Sequence, residues 1–218
     1  MVLNCCFGVD SYSIYSDDEF AVPAIRQIVG EKPVGPDPAQ FLEQRRHESQ
    51  LLCVKTHELP APDPHKAIYV VRDGRAALVS HYHYLRDIRG MRASLDDLIA
   101  GLDSQSWSAH VDAWLLSGRP NVLAIRYEDL VRADGYAEEA IAGFIGKAPT
   151  RAFDVGFSEL RGLMPAFFRS GSNDRNIAEL TEGQLDRFEQ LHGRTLDVLG
   201  YPRMHRMAWH RRQKEPCA

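Results

Sequence analysis

Residues 67–84 read AIYVVRDGRAALVSHYHY, and this one stretch decides the fold class. Ala67 to Arg72 is a short apolar run rich in β-branched residues, the mark of a strand buried on both faces in a parallel sheet. The run stops at Asp73-Gly74. Beyond it Ala77, Leu78, His81, Tyr84, Leu85 and Ile88 recur at spacings of three and four, which predicts an amphipathic helix. Two further runs of the same kind, LLCVKT (Leu51 to Thr56) and NVLAIRY (Asn121 to Tyr127), predict two more buried strands. Helices are expected in SLDDLIAGL with Ser94 as N-cap, in SWSAHVDAWLLSG with Gly118 as the C′ residue, and in YAEEAIAGFIG. A longer one follows Leu180, where Thr181 and Gln184 stand in capping-box relation. Strands that alternate with helices define an α/β fold, a single domain with a mainly parallel sheet flanked by helices. Its expected extent is residues 1–203, with 204–218 as a basic tail.

Composition narrows the class without naming a function. The 218 residues are 44% hydrophobic and 26% charged, with 26 basic and 30 acidic side chains for a net charge of −4. That balance argues against a surface given over to nucleic acid or anionic lipid. No stretch approaches the roughly 18 uninterrupted apolar residues of a membrane helix, and no basic-then-apolar leader opens the chain, so the sequence reads as cytoplasmic. Cys5, Cys6, Cys53 and Cys217 form no CxxC and are expected as free thiols, mostly buried. The first fifty residues, with the polar DSYSIYSDDEF and the loop-like GEKPVGPDP, are expected to be weakly structured. His81 and His83 are two apart, about 200° round a helix, and cannot both ligate one metal from one face. Trp107, His110 and Trp114 form a stripe that reads as core packing, with His110 toward an acceptor cleft. In the tail, HRRQK has no interleaved aromatics to stack bases and reads as solvated.

In a parallel α/β sheet ligands bind beyond the carboxyl ends of the strands. Three such ends carry polar groups here: Lys55-Thr56-His57-Glu58, Arg72-Asp73-Gly74-Arg75 with Ser80 further on, and Arg126-Tyr127-Glu128-Asp129. Each alone is a weak signal, since a strand-end arginine is more often a surface salt bridge than a phosphate ligand and a lone histidine is usually a satisfied structural residue.

Together they carry a resemblance. KTHELP, YVVRDGRAALVSHYHY, SWSAHVDAW, RYEDL and FFRSG, in that order from Lys55 onward, resemble the sulfotransferases that take a sulfuryl group from 3′-phosphoadenosine 5′-phosphosulfate (PAPS). The resemblance implies a P-loop NTPase-like sulfotransferase fold and PAPS, or its product 3′-phosphoadenosine 5′-phosphate (PAP), as the nucleotide, with no metal. It implies that Arg72 and Ser80 hold the 3′-phosphate, that Arg169, Ser170 and Gly171 close over it, and that Tyr127 lies near the adenine. It makes His57 the general base for an acceptor hydroxyl; Lys55, two residues earlier, is expected on the same side of an extended strand as His57 and so near the transferring group. A hydroxyl-bearing small molecule, lipid or glycan is the implied acceptor, and a homo-oligomer stays open.

Two departures qualify these expectations. After FFRSG the family continues into a Gly-Asp-Trp-like stretch, where this chain has SNDRN without the tryptophan. The family also begins with a strand and a Gly/Ser/Thr-rich turn for the 5′-phosphosulfate, whereas this chain opens on MVLNCCFGVD, read as the helix that follows such a turn. The fold is therefore expected to be N-terminally incomplete. A non-catalytic protein that binds PAP or serves only in assembly is the alternative to an active enzyme.

Overall fold

The computed structural model describes residues 1–15, 23–35, 37–45, 50–62, 65–102, 106–132 and 134–204. In chain order the elements are α1 (Val2–Phe7), β1 (Ser11–Ser13), α2 (Pro23–Val29), β2 (Glu31–Pro33), α3 (Pro38–Arg45), β3 (Cys53–Lys55), β4 (Ala67–Val71), α4 (Gly74–His83), α5 (Leu95–Ala100), α6 (Trp107–Val111), β5 (Val122–Arg126), α7 (Tyr127–Arg132), α8 (Tyr136–Ile145), α9 (Phe157–Leu163), α10 (Asn173–Ile177) and α11 (Glu182–Leu199). Wider π-helical turns at Tyr84–Ile88 and Asp112–Leu116 prolong α4 and α6. The chain gathers into two compact units, 1–58 with 128–165, and 59–127 with 166–218.

The first unit carries a three-stranded sheet in the order β2-β1-β3, parallel throughout. Here the expectation of a weakly structured opening fails. Residues 11–45 contain two strands and two helices, because α2 and α3 serve as the crossovers that parallel pairing requires. Strands of three residues, one of them the polar Glu31–Pro33, leave almost no periodic signal. Cys5, Cys6 and Phe7 of α1 are buried, and Gly8 closes that helix in the left-handed conformation at φ 59°. Cys5 and Cys6 are free and buried, and Cys53 is free and half-buried.

In the second unit β4 and β5 pair in parallel, Ala67 opposite Val122 through Val71 opposite Arg126. These strands are less buried than the apolar runs predict. Val70 is 49% exposed, while the adjacent Val71 is buried, so β4 is covered on one face more than on the other. The core is assembled from helices: Ala76 and Val79 of α4, Ile99 of α5, Ile177 of α10, and Leu185, Phe188 and Leu196 of α11. Trp107 packs on Phe188 and His192, which bears out the packing role of that residue. His192 is buried; its Nδ1 meets the Ser108 hydroxyl at 2.8 Å and its Nε2 the Ile99 carbonyl at 2.9 Å, and burial pulls its pKa down. The Thr181–Gln184 capping box is present at the start of α11, and Gly118 takes φ 76° beyond the second π-helical turn. Ser94 stands at the N-cap position of α5 without a side-chain cap bond. No described helix is long and apolar enough to cross a membrane. The basic tail, Met204 excepted, falls outside the described residues.

One charged side chain sits at the bottom of this core. Arg75 is 1% exposed, and its Nη2 meets Asp73 Oδ2 at 2.7 Å and the Pro202 carbonyl at 2.9 Å. Asp73 also accepts the Arg75 amide at 3.0 Å, so the same carboxylate caps α4 and neutralises the arginine. Removing one member of a buried pair strands the other charge. Arg75→Ala is therefore expected to lower the unfolding free energy by about 3–5 kcal/mol in urea titrations; a loss below about 1 kcal/mol would contradict the pairing.

Candidate functional site

The register of β4 and β5 builds the centre of the candidate site. Because Val71 pairs with Arg126, the next residues, Arg72 and Tyr127, leave the two strand ends side by side. The Arg72 guanidinium carbon lies 4.3 Å from the centroid of the Tyr127 ring, and Arg72 Nε donates to Asn173 Oδ1 at 2.8 Å. One contact holds the face of the group and the other its edge, so its orientation is fixed.

The late loop reaches the same neighbourhood through α10. The Ser170 hydroxyl donates to Asn176 Oδ1 at 2.7 Å, and Asn176 Nδ2 donates to the Ala76 carbonyl of α4 at 3.1 Å. Gly171 turns the chain at φ 61°, a left-handed conformation that suits glycine. Arg169 donates to Asn176 at 3.5 Å and, more closely, to Glu179 Oε1 at 2.6 Å. Glu179 in turn meets His83 Nε2 at 2.6 Å, and His83 Nδ1 meets Asp87 at 3.2 Å. Burial pushes the Glu179 carboxyl up, but the hydrogen bonds from Arg169 and His83 outweigh it and hold the group below the usual carboxylate range. Thus Arg72, Tyr127, Arg169, Ser170 and Gly171 come together around α10. Ser80 stands exposed on α4, outside this hydrogen-bonded group.

Lys55 and His57 lie in the first unit. Lys55 ends β3 opposite Ser13, and His57 follows two residues beyond the strand, so strand alternation does not extend to it. Tyr15 holds His57 instead. Its hydroxyl accepts the His57 amide at 2.7 Å and donates to Glu58 Oε1 at 3.2 Å, while its ring stacks on the imidazole with centroids 5.4 Å apart. The Tyr15 amide bonds the buried Ser13 hydroxyl at 3.2 Å, which ties this arrangement to the sheet. His57 is exposed.

His110 pairs with Tyr69: Tyr69 Oη and His110 Nδ1 are 2.8 Å apart, and the Tyr69 ring also stacks with Trp114 at a centroid distance of 5.9 Å. Burial pushes the Tyr69 hydroxyl up to about 12. Among the described residues no three of His, Cys, Asp and Glu gather in a way that could hold a metal ion.

Tyr15, Asn173, Asn176 and Glu179 were not among the residues expected from sequence. Each acts through a partner 10 to 101 positions away, or 42 for Tyr15, and short-range spacing is silent about such pairs.

The chain belongs to the sulfotransferase-domain family, whose model matches residues 22–200. Sulfotransferase 2B1 of Homo sapiens is 36% identical over 90 residues, which cover 38% of this chain and 25% of that protein. A 3-alpha-hydroxysteroid sulfotransferase of Cavia porcellus is 33% identical over 90 residues, 38% of this chain and 31% of its own. Luciferin sulfotransferase of Photinus pyralis is 25% identical over 157 residues, 57% and 42% respectively. The match thus spans less than half the length of each of these relatives. The crystal structure of mouse sulfotransferase SULT7A1 complexed with PAP superimposes with a TM-score of 0.58 at 20% identity, over 94% of this chain and 87% of that one, and shows the same fold.

The lowered Glu179 pKa fixes the sign of an acid effect. Its folded value lies beneath its unfolded one, so the stabilisation is whole above about pH 5 and is lost as pH falls through the folded value. The stability gap between wild type and Glu179→Gln in urea is expected to be widest near neutral pH and to narrow in acid. A gap that does not change with pH would contradict the Arg169–Glu179–His83 arrangement.

Proposed function

We propose that this chain is a sulfotransferase that uses PAPS and moves its sulfuryl group to an acceptor hydroxyl, with His57 as general base. The observation that carries the nucleotide half is Arg72. It sits at a strand end, with its face on Tyr127 and its Nε on the Asn173 amide, and a guanidinium fork matches the oxygens of a phosphate. In this reading Arg72 and Ser80 take the 3′-phosphate, Arg169, Ser170 and Gly171 add a cation and donors from the late loop, and Tyr127 lies near the adenine. Arg169 would exchange Glu179 for the nucleotide. The PAP in the mouse neighbour supports the choice of nucleotide.

The nucleotide supplies the sulfuryl group and a phosphate leaving group. The acceptor oxygen forms the new bond to sulfur as the bond from sulfur to the bridging phosphate oxygen breaks, and the hydroxyl proton passes to a ring nitrogen of His57. Histidine suits the task because its ordinary pKa, about 6.5, leaves it neutral and accepting near pH 7. The stacked Tyr15 and its bond to the His57 amide limit the directions in which the imidazole can point. Lys55 would offset negative charge that builds on the transferring group. The relatives' names include a hydroxysteroid and luciferin; we propose a hydroxyl-bearing small molecule, lipid or glycan as the acceptor here, and a cytoplasmic place of action.

PAP is expected to raise the melting temperature of the wild type, and Arg72→Ala to abolish the rise; equal behaviour of the two proteins would overturn the nucleotide assignment. In transfer of labelled sulfate from PAPS, His57→Ala is expected to lose at least about a hundredfold in rate. Undiminished transfer would remove His57 from the chemistry.

A further inference from the structure

The stretch SNDRN is where the chain departs from its family's late-loop pattern, and two of its residues carry the contacts that organise the nucleotide half of the site. We propose that Asn173 and Asn176 are positioning residues for the 3′-phosphate: Asn173 orients Arg72, and Asn176 fastens the loop of Arg169, Ser170 and Gly171 to α4. The inference rests on the nucleotide reading above.

Asn173 is suited to the task by being neutral. Its Oδ1 accepts Arg72 Nε at 2.8 Å and so aligns the guanidinium through a neutral acceptor. A carboxylate at that position would make a stronger bond and set a negative charge in competition with an incoming phosphate. Asn176 is 3% exposed and uses both ends of its amide. Nδ2 donates to the Ala76 carbonyl, one helical turn before Ser80, while Oδ1 accepts from Ser170 and Arg169. A single side chain thus sets the distance between the late loop and the helix that bears Ser80. Its amide must present a donor on one side and an acceptor on the other, which neither leucine nor aspartate does.

The test separates positioning from general stability by using two ligands that differ only in the group concerned. PAP and adenosine 5′-monophosphate, which lacks the 3′-phosphate, are titrated calorimetrically into the full chain, into Arg72→Ala and into the asparagine variants. Wild type is expected to prefer PAP, and Arg72→Ala to lose the preference. Asn173→Ala and Asn173→Asp are each expected to cut the ratio of PAP to adenosine 5′-monophosphate affinity by about tenfold, the scale of one charge-assisted hydrogen bond, with binding of the monophosphate held within about twofold. Asn176→Ser, milder than removal to alanine, is expected to cut the ratio in the same direction. The aspartate variant is decisive, because a merely structural Asn173 would tolerate it. If Arg72→Ala loses the preference while the asparagine variants keep it, or if both ligands weaken in step in those variants, the positioning role is overturned and the nucleotide reading stands. If wild type shows no preference for PAP, the nucleotide reading fails and the inference falls with it.

Discussion

The turn from β4 into α4 is held from two sides, and the remainder of the second unit is arranged around that restraint. On the buried side Gly74 lets the backbone touch the core: a Cβ there would stand 2.5 Å from the Trp107 ring and 2.6 Å from Phe188. Real Cβ atoms essentially never approach carbon so closely, so no other residue fits without moving α6 or α11. Along the chain, Asp73 and Arg75 lock the first turn of α4 with one carboxylate that serves as cap and counter-ion together. Between these two restraints Arg72 has little freedom, and the β4–β5 register then decides that its neighbour is Tyr127.

Around this point the molecule uses two kinds of polar contact for two purposes. The charged contacts stabilise: Arg75 with Asp73 and Glu189 is deep and paired. The amide contacts orient: Asn173 and Asn176 align Arg72, Ser170 and Arg169 through neutral acceptors. Arg169 stands between the two, since Glu179 holds it now and a phosphate would have to displace that carboxylate. Such an exchange of partners costs little where both side chains are about a third exposed, 31% and 38% here, because solvent already screens the pair.

How far the sequence could be read depended on the range of the interaction that decides each feature. The β4–α4 unit was legible because an apolar run, an Asp-Gly break and a three-four spacing are local, and so was the α11 capping box. The RYEDL segment was legible as a motif at a strand end, but Tyr127 was read as part of the strand, and the helix that opens at it was not expected. By contrast β1 and β2 were missed, since three-residue strands such as Ser11–Ser13 depend on pairing partners 20 and 42 positions away. The burial of β4 was overstated because an apolar run does not reveal whether both faces of a strand are covered. Of the candidate site, the residues that match the family were visible by type and order, but Tyr15, Asn173 and Asn176 were not. They are ordinary polar residues whose roles exist only through contacts across the fold.

The central claim is that Arg72, set by Tyr127 and Asn173, is the anchor of a nucleotide's 3′-phosphate. A crystal structure of the full chain grown with PAP tests it most directly. The account predicts the 3′-phosphate within hydrogen-bonding distance, about 3 Å, of the Arg72 guanidinium, with Arg169 moved from Glu179 toward the same group. PAP bound elsewhere, with Arg72 still on Asn173 and no phosphate against it, would contradict the account.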